Sequence, residues 1–383
     1  MLQSLFVYVI MIVSILGCAW LYTQVVSGTK VYVYHPCIFT IVIIYTFFCS
    51  VRYDVGVDYP AYLSMFKVSE YATTSQDISH TEPGWAYLTW LISSSHIHFA
   101  VYFGIIAYIQ ILLVISAFKK KAKILPIVIL IFFLSGQFIS FQNIIRQNIV
   151  AACFLYIAMQ RYNIKFVFYV LFVLIACLIH KSALILLILY PFIKINRFYI
   201  NAQWIYALII VVCAIIGSRF NLLDVVFQNP IMVFILESND YAYYLQDDNM
   251  NMGMGQSIGL GFMLRTVIDV IMVLNKSYVN RLSADKRYNI YFRLYFLGTS
   301  LSYLFPTSML VNRPLMYMVI FILPIYSYYF YYVLNSKLTL TSLRKSCAVF
   351  CLVGLILLFV NSTFIDPEGN MCEYHFFWEK AAI

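Results

Sequence analysis

Three arginines, one histidine and three carboxylates stand out in a chain that is otherwise sparing with charge. Arg52, Asp54, Asp58 and Tyr59 fall within RYDVGVDY, Glu82 opens EPGW, Arg146 and Gln147 lie in FQNIIRQN, His180 begins HKSA, and Arg313 stands between Asn312 and Pro314. A guanidinium holds phosphate well because its planar fork gives paired, charge-assisted hydrogen bonds. A carboxylate whose pKa is raised by burial can take a proton from a hydroxyl, and an imidazole titrates near neutral pH. Asp54, Asp58 and Glu82 are therefore base candidates, and His180 is a phosphate ligand or proton carrier. Arg52, Tyr59, Arg146, Gln147 and Arg313 are candidates for binding the substrate.

Each of these residues also has a plainer reading. Arg146 could snorkel to an interface, His180 could be a helix-end histidine, and the carboxylates could be solvated loop charges. If the segments are helical, Asp54 and Asp58 lie one turn apart, Gln142 and Arg146 share a helix face, and Asn143 and Gln147 share the adjacent one. Arg265 and Asp269, also spaced i, i+4, read as a structural pair inside an apolar helix.

The elements that must position these groups are membrane helices. Of 383 residues, 63% are hydrophobic and 11% charged, which excludes an ordinary soluble domain. Apolar runs long enough to span hydrocarbon recur between short polar breaks. The expectation is an all-α polytopic membrane protein forming one integral domain over residues 1–383. About twelve spans are expected, at 4–26, 36–51, 99–118, 124–140, 144–160, 166–180, 183–193, 203–218, 257–275, 289–307, 314–334 and 346–363. The first reads as a retained span rather than a cleaved signal.

Lys119, Lys120, Lys121 and Lys123 set the orientation, because basic loops stay in the cytoplasm. Alternation then puts 16 of the 25 basic residues on that side with a single acid, Asp285, and 14 of the 16 acids on the other. The outer face collects loop 52–98, loop 219–256 and the tail 364–383, together with every candidate residue above. Loop 219–256 reads as short interfacial amphipathic helices, and MNMGMGQSIGLG at its end reads as a hinge. Tyr328, Tyr329, Tyr331 and Tyr332 read as an interfacial belt. The net charge of +9 is a topology signal and does not point to nucleic acid. The nine cysteines contain no C-x-x-C, so neither a disulfide framework nor a metal site is indicated, and no cofactor is expected.

An outward-facing site has no nucleotide sugar or ATP at hand, so a transferase there needs a lipid-carried donor. A polyprenyl diphosphate-linked saccharide fits, since cations can stabilise the departing diphosphate while a base serves the acceptor hydroxyl.

Arg52-Tyr53-Asp54-Val55-Gly56-Val57-Asp58-Tyr59 after the second span, Glu82-Pro83-Gly84-Trp85 before the third, Arg146-Gln147, and His180-Lys181-Ser182-Ala183 occur in an order that resembles the EpsG-like branch of Wzy-type polysaccharide polymerases. The resemblance covers roughly residues 50–190. It implies polymerisation of undecaprenyl diphosphate-linked oligosaccharide repeat units into O-antigen or a related polysaccharide. It also implies a bacterial inner (cytoplasmic) membrane location, a GT-C-like helical bundle with a periplasmic site, and membrane lipids, a flippase and a chain-length regulator as partners. Two rivals make different demands. A transporter or flippase of the lipid-linked oligosaccharide would place charges deep in a central cavity between related halves. A membrane O-acyltransferase would need catalytic groups reachable from the cytoplasm.

Overall fold

Several helices start at a proline, whose missing N–H costs nothing in the first turn. Pro36, Pro60, Pro83 and Pro126 each occupy such a position. His35 and His98 cap two helices by accepting a backbone N–H at Nδ1, from Cys37 at 3.3 Å and Ala100 at 3.2 Å. A computed structural model describes residues 2–26, 28–75, 81–194, 202–220, 222, 259–306, 309–336, 341–367 and 370–380.

The first half comprises α1 (Leu2–Val25), α2 (Pro36–Val51), a two-residue strand β1 (Arg52–Tyr53), α3 (Tyr59–Ser69), α4 (Pro83–Ser93), α5 (Phe99–Ala117), α6 (Leu125–Leu134), α7 (Gln137–Asn143), α8 (Ile145–Gln160), α9 (Phe166–Cys177) and α10 (Leu186–Lys194). The second half comprises α11 (Gln203–Arg219), α12 (Leu260–Leu274), α13 (Lys276–Ser283), α14 (Tyr288–Leu304), α15 (Met309–Val319), α16 (Ile322–Leu334), α17 (Thr341–Val360), strand β2 (His375–Phe376) and α18 (Phe377–Lys380). Helices α1, α2, α5 and α8 pack in sequence, and α11, α14 and α15 form a second group joined to the first where α15 meets α8.

Leu2–Val25, Phe99–Ala117, Val311–Leu334 and Ser342–Ile365 are long and apolar enough to cross a membrane, and a bent pair adds a fifth if counted as one span. The chain is an all-α membrane protein. The bent pair falls on the expected span 124–140. Gly136, at φ +81, turns the chain by 62° between α6 and α7. A second break at Ile144 separates α7 from α8. Backbone groups released at these breaks need partners away from water. Gln110 donates to the Ile145 carbonyl at 3.1 Å, and Asn148 donates to the Ser140 and Ile144 carbonyls at 2.7 and 3.0 Å.

Charged contacts gather at two ends of the bundle. At one, Lys121 Nζ lies 3.0 Å from Asp285, whose other oxygen lies 3.3 Å from Arg287 Nε. Arg287 also donates to the Met159 carbonyl, so three basic-side connections meet there. At the other end, β1 pairs antiparallel with β2, with Arg52 opposite Phe376 and Tyr53 opposite His375. The tail is stitched further by Ser4 donating to the Cys372 carbonyl at 2.6 Å and Tyr374 donating to the Phe48 carbonyl at 2.6 Å.

The tyrosine belt is corrected in part. Tyr328 and Tyr329 are fully buried, and the Tyr328 hydroxyl donates to Asp285 at 2.6 Å. Asp269 accepts from the hydroxyls of Tyr295 at 2.5 Å, Tyr303 at 2.7 Å and Tyr326, while Arg265 lies outside ion-pair distance and acts on it through its field. Most of loop 219–256, and the hinge expected at its end, lie outside the described residues.

Candidate active site

Glu82 immediately precedes Pro83, where the exposed N–H groups of the first turn of α4 favour a negative charge. The helix sits where it does because Gly84 lets its backbone touch the α9 terminus. A Cβ there would lie 2.7 Å from that of Leu178, and Trp85 N–H donates to the Leu178 carbonyl at 3.0 Å. That docking brings His180 and Lys181 onto Glu82.

Three donors converge on this carboxylate. Oε1 accepts from His180 Nδ1 at 2.9 Å and from the Lys181 backbone N–H at 2.9 Å, and Oε2 accepts from Arg146 Nη1. Burial alone would raise the Glu82 pKa, but the His180 hydrogen bond, the Arg146 charge and the Lys181 amide together hold it down at about 2. An acceptor-only carboxylate fixes His180 as an Nδ1 donor, so Nε2 is turned away from Glu82, without a hydrogen-bond partner among the described residues. Sequence reasoning named Glu82, Arg146 and His180 singly and did not foresee their union, because residues 64 and 98 positions apart meet only through tertiary packing.

Arg146 opens α8, with its guanidinium 5.9 Å from the centre of the Tyr62 ring and its Nε buried without a partner. The break at Ile144 overturns the expected shared faces. Gln142 and Asn143 belong to α7, Arg146 and Gln147 to α8, and the pairs do not lie on one helix. Gln147 instead donates to the Arg313 carbonyl and, at 3.4 Å, to Ser182 Oγ, which shares a 2.8 Å hydrogen bond with Tyr317. The Arg313 backbone on α15 is thereby tied to Gln147, the neighbour of Arg146.

Asp58 faces this group from the start of α3. Its carboxylate caps no helix N–H and accepts no hydrogen bond from the described residues. Burial raises its pKa, and the charges of Arg313 and Arg146 restrain the rise. The helical reading of Asp54 and Asp58 is corrected as well. Asp54 adopts φ +54 and Gly56 φ +110, so the chain turns sharply between them. Gly56 is required there, since a Cβ would lie 2.6 Å from Asn143 Oδ1, the atom that accepts the Val57 N–H at 3.1 Å.

Arg52 and Tyr59 sit behind this surface. Arg52 is 3% exposed and Tyr59 is 1% exposed. The Arg52 guanidinium lies 5.5 and 5.6 Å from the rings of Tyr59 and Phe103, and its Nη2 donates to the Gln142 carbonyl at 2.9 Å. Tyr59 returns its hydroxyl to the Arg52 carbonyl at 3.1 Å. The two residues hold the 52–59 turn against the α7–α8 break. No group of histidine, cysteine and carboxylate side chains suited to a metal ion occurs among the described residues.

The arrangement joins a fixed arginine, a second arginine one contact away, an imidazole of set tautomer and a carboxylate with raised pKa. Such a set can bind an anionic leaving group and accept a proton. Comparison with curated proteins and with solved structures yields no match. The family model described as the EpsG family matches residues 35–376 of the 383, nearly the whole chain, and the protein belongs to that family.

Proposed function

We propose that this protein polymerises undecaprenyl diphosphate-linked oligosaccharide repeat units into O-antigen or a related polysaccharide, by glycosyl transfer on the periplasmic face of the bacterial inner membrane. EpsG membership supports a polysaccharide polymerase-like role. The observation that carries the finer reading is the convergence of Arg146 and His180 on Glu82 beside an Asp58 whose carboxylate has no hydrogen-bond donor among the described residues.

In this reading the acceptor hydroxyl oxygen forms a bond to the anomeric carbon as the bond to the diphosphate oxygen breaks. Asp58 takes the hydroxyl proton, and Arg146 and Arg313 receive the charge developing on the diphosphate. His180 Nε2 contacts the same phosphates or carries the proton away. Glu82 acts as the positioning carboxylate, since its donors leave it poorly basic. Asp54 flanks the site, and Arg52, Tyr59 and Gln147 keep the cationic elements in register. The chain crosses the membrane about twelve times as one integral domain, with surrounding lipids as its solvent.

The test uses purified protein and an undecaprenyl diphosphate-linked repeat unit without any nucleotide sugar. Wild type should yield a ladder of longer products, and Arg146→Ala should lower its rate at least about 100-fold. No ladder from folded wild type with authentic substrate would overturn the reading.

A further inference from the structure

An open groove of ≈ 430 Å³ runs along α3, with Tyr53 and Asp54 of the 52–59 turn at its edge. Tyr59 and Leu63 form its floor, and Tyr53, Asp54, Ser64 and Lys67 line its walls. The lining combines an aromatic ring with an acid, a cation and a hydroxyl. We propose that this groove binds a pyranose ring of the acceptor saccharide, and so presents the acceptor hydroxyl to Asp58. The inference rests on the polymerase reading and adds to it the place where the acceptor sugar is held.

Four observations support a saccharide. Tyr53 is held in place from behind, its backbone paired with His375 and its ring set edgewise against Tyr59 and Phe99 at 6.0 and 6.3 Å. A fixed ring with an accessible face suits the apolar C–H face of a sugar. Asp54 occupies the left-handed region at φ +54, which aspartate adopts more readily than most residues with a Cβ. Asn370 Nδ2 donates to its Oδ2 at 3.3 Å, while Oδ1 accepts no hydrogen bond from the described residues. Lys67 is exposed on the next face of α3 and pairs with no carboxylate among the described residues. A ring of hydroxyls, each both donor and acceptor, can use a carboxylate and an ammonium together. An acyl chain would use neither, and a diphosphate would be repelled by Asp54. Asp58, at the start of α3, is one residue from Tyr59 in the groove floor.

The experiment measures steady-state elongation in phosphatidylcholine nanodiscs, using lipid-linked repeat units extracted from cells that lack this protein. Tyr53→Ala should raise KM about tenfold with kcat within about twofold, and Tyr53→Trp should restore KM. Lys67→Ala should raise KM about threefold. Saccharide released from the same lipid by mild acid should compete with the substrate for wild type and lose that competition with Tyr53→Ala. Unchanged KM in both alanine variants would overturn the inference while ladder formation leaves the polymerase reading standing. If wild type forms no ladder, saturation-transfer NMR with the released saccharide decides. Signal lost in Tyr53→Ala supports the groove, and signal unchanged overturns it. A Lys67→Ala effect confined to nanodiscs containing phosphatidylglycerol would make the groove a lipid headgroup site and overturn the inference.

Discussion

Two buried carboxylates at opposite ends of the bundle look alike and have different surroundings. Glu82 and Asp285 are each held down at about 2 against the rise that burial alone would cause. Around Asp285 the cations are already engaged. Lys121 lies over the Tyr328 ring at 5.2 Å while contacting the carboxylate, and Arg287 spends a further N–H on the Met159 carbonyl. The unpartnered buried atoms nearby, Asn289 Oδ1 and the Tyr291 hydroxyl, belong to neutral side chains. Around Glu82 the neighbours are less satisfied: Arg146 Nε and Gln147 Oε1 are buried without partners, and the Asp58 carboxylate accepts no hydrogen bond from the described residues. A carboxylate between cations is thus a clasp at one end and, in the proposed reaction, a positioning device at the other. What distinguishes them is the hydrogen-bonding capacity left over beside each.

The sharpest way to break this comparison is to remove each carboxylate. Glu82→Ala and Asp285→Ala should each cost on the order of 3–5 kcal/mol, because each strands partly buried cations. At a temperature where both variants remain folded by circular dichroism, Glu82→Ala should form no ladder, and Asp285→Ala should keep the wild-type rate per folded molecule. Equal loss of turnover would show that the two ends are not functionally distinct.

A second measurement sharpens the assignment on the Glu82 side. Asp58→Asn should lower kcat by about 10²–10⁴-fold, with little change in thermal unfolding, since the side chain makes no structural hydrogen bond. The acidic limb of the kcat–pH profile should disappear with it, because the group whose deprotonation that limb reports is gone. A retained acidic limb would move the base elsewhere, with Asp54 next in line.

The smallest effect is on stability in acid, where the two ends should behave alike. Both folded pKa values, about 2, lie below the ordinary values of 4.5 for Glu82 and 3.8 for Asp285. Between those limits the unfolded state binds more protons, so the stabilisation is present above the ordinary value and lost as pH falls toward about 2. Glu82→Gln and Asp285→Asn should each flatten the fall in stability between about pH 5 and pH 2, by about 1–3 kcal/mol. Unfolding curves collected across that range would show it, and an unaltered slope in either variant would remove that carboxylate from the account.

How much of this was legible before the fold was seen depends on the kind of signal. The helical class follows from composition and local runs, and Asp285 stood out as the lone acid among basic loops. The candidate residues were legible as types, because Arg, His and acids are rare in such a chain. Their roles were not. That Glu82 ties Arg146 to His180 depends on Gly84 docking against Leu178, a close approach that leaves no periodic trace. The 62° turn at Gly136 was missed because 124–140 reads as one apolar run, whereas the break before α8 falls between two expected spans; of the amides that satisfy these breaks, Gln110 comes from α5 and Asn148 from α8. Tyr328 was misread because a tyrosine near a helix end gives the same pattern whether it faces lipid headgroups or a buried acid.

The pairing of β1 with β2 has a consequence for how the protein is made. Asp54 and its partner Asn370 lie 316 residues apart in sequence, and the Arg52–Tyr53 strand has no edge partner until His375–Phe376 arrives. Chain synthesis proceeds at about 5–20 residues per second, so the first half waits many seconds in the bilayer with its outer turn unpaired. The turn is completed only by a segment 316 residues further along the chain, and a ribosome that stalls before it leaves behind helices that hold Arg146 and His180 but not the finished turn.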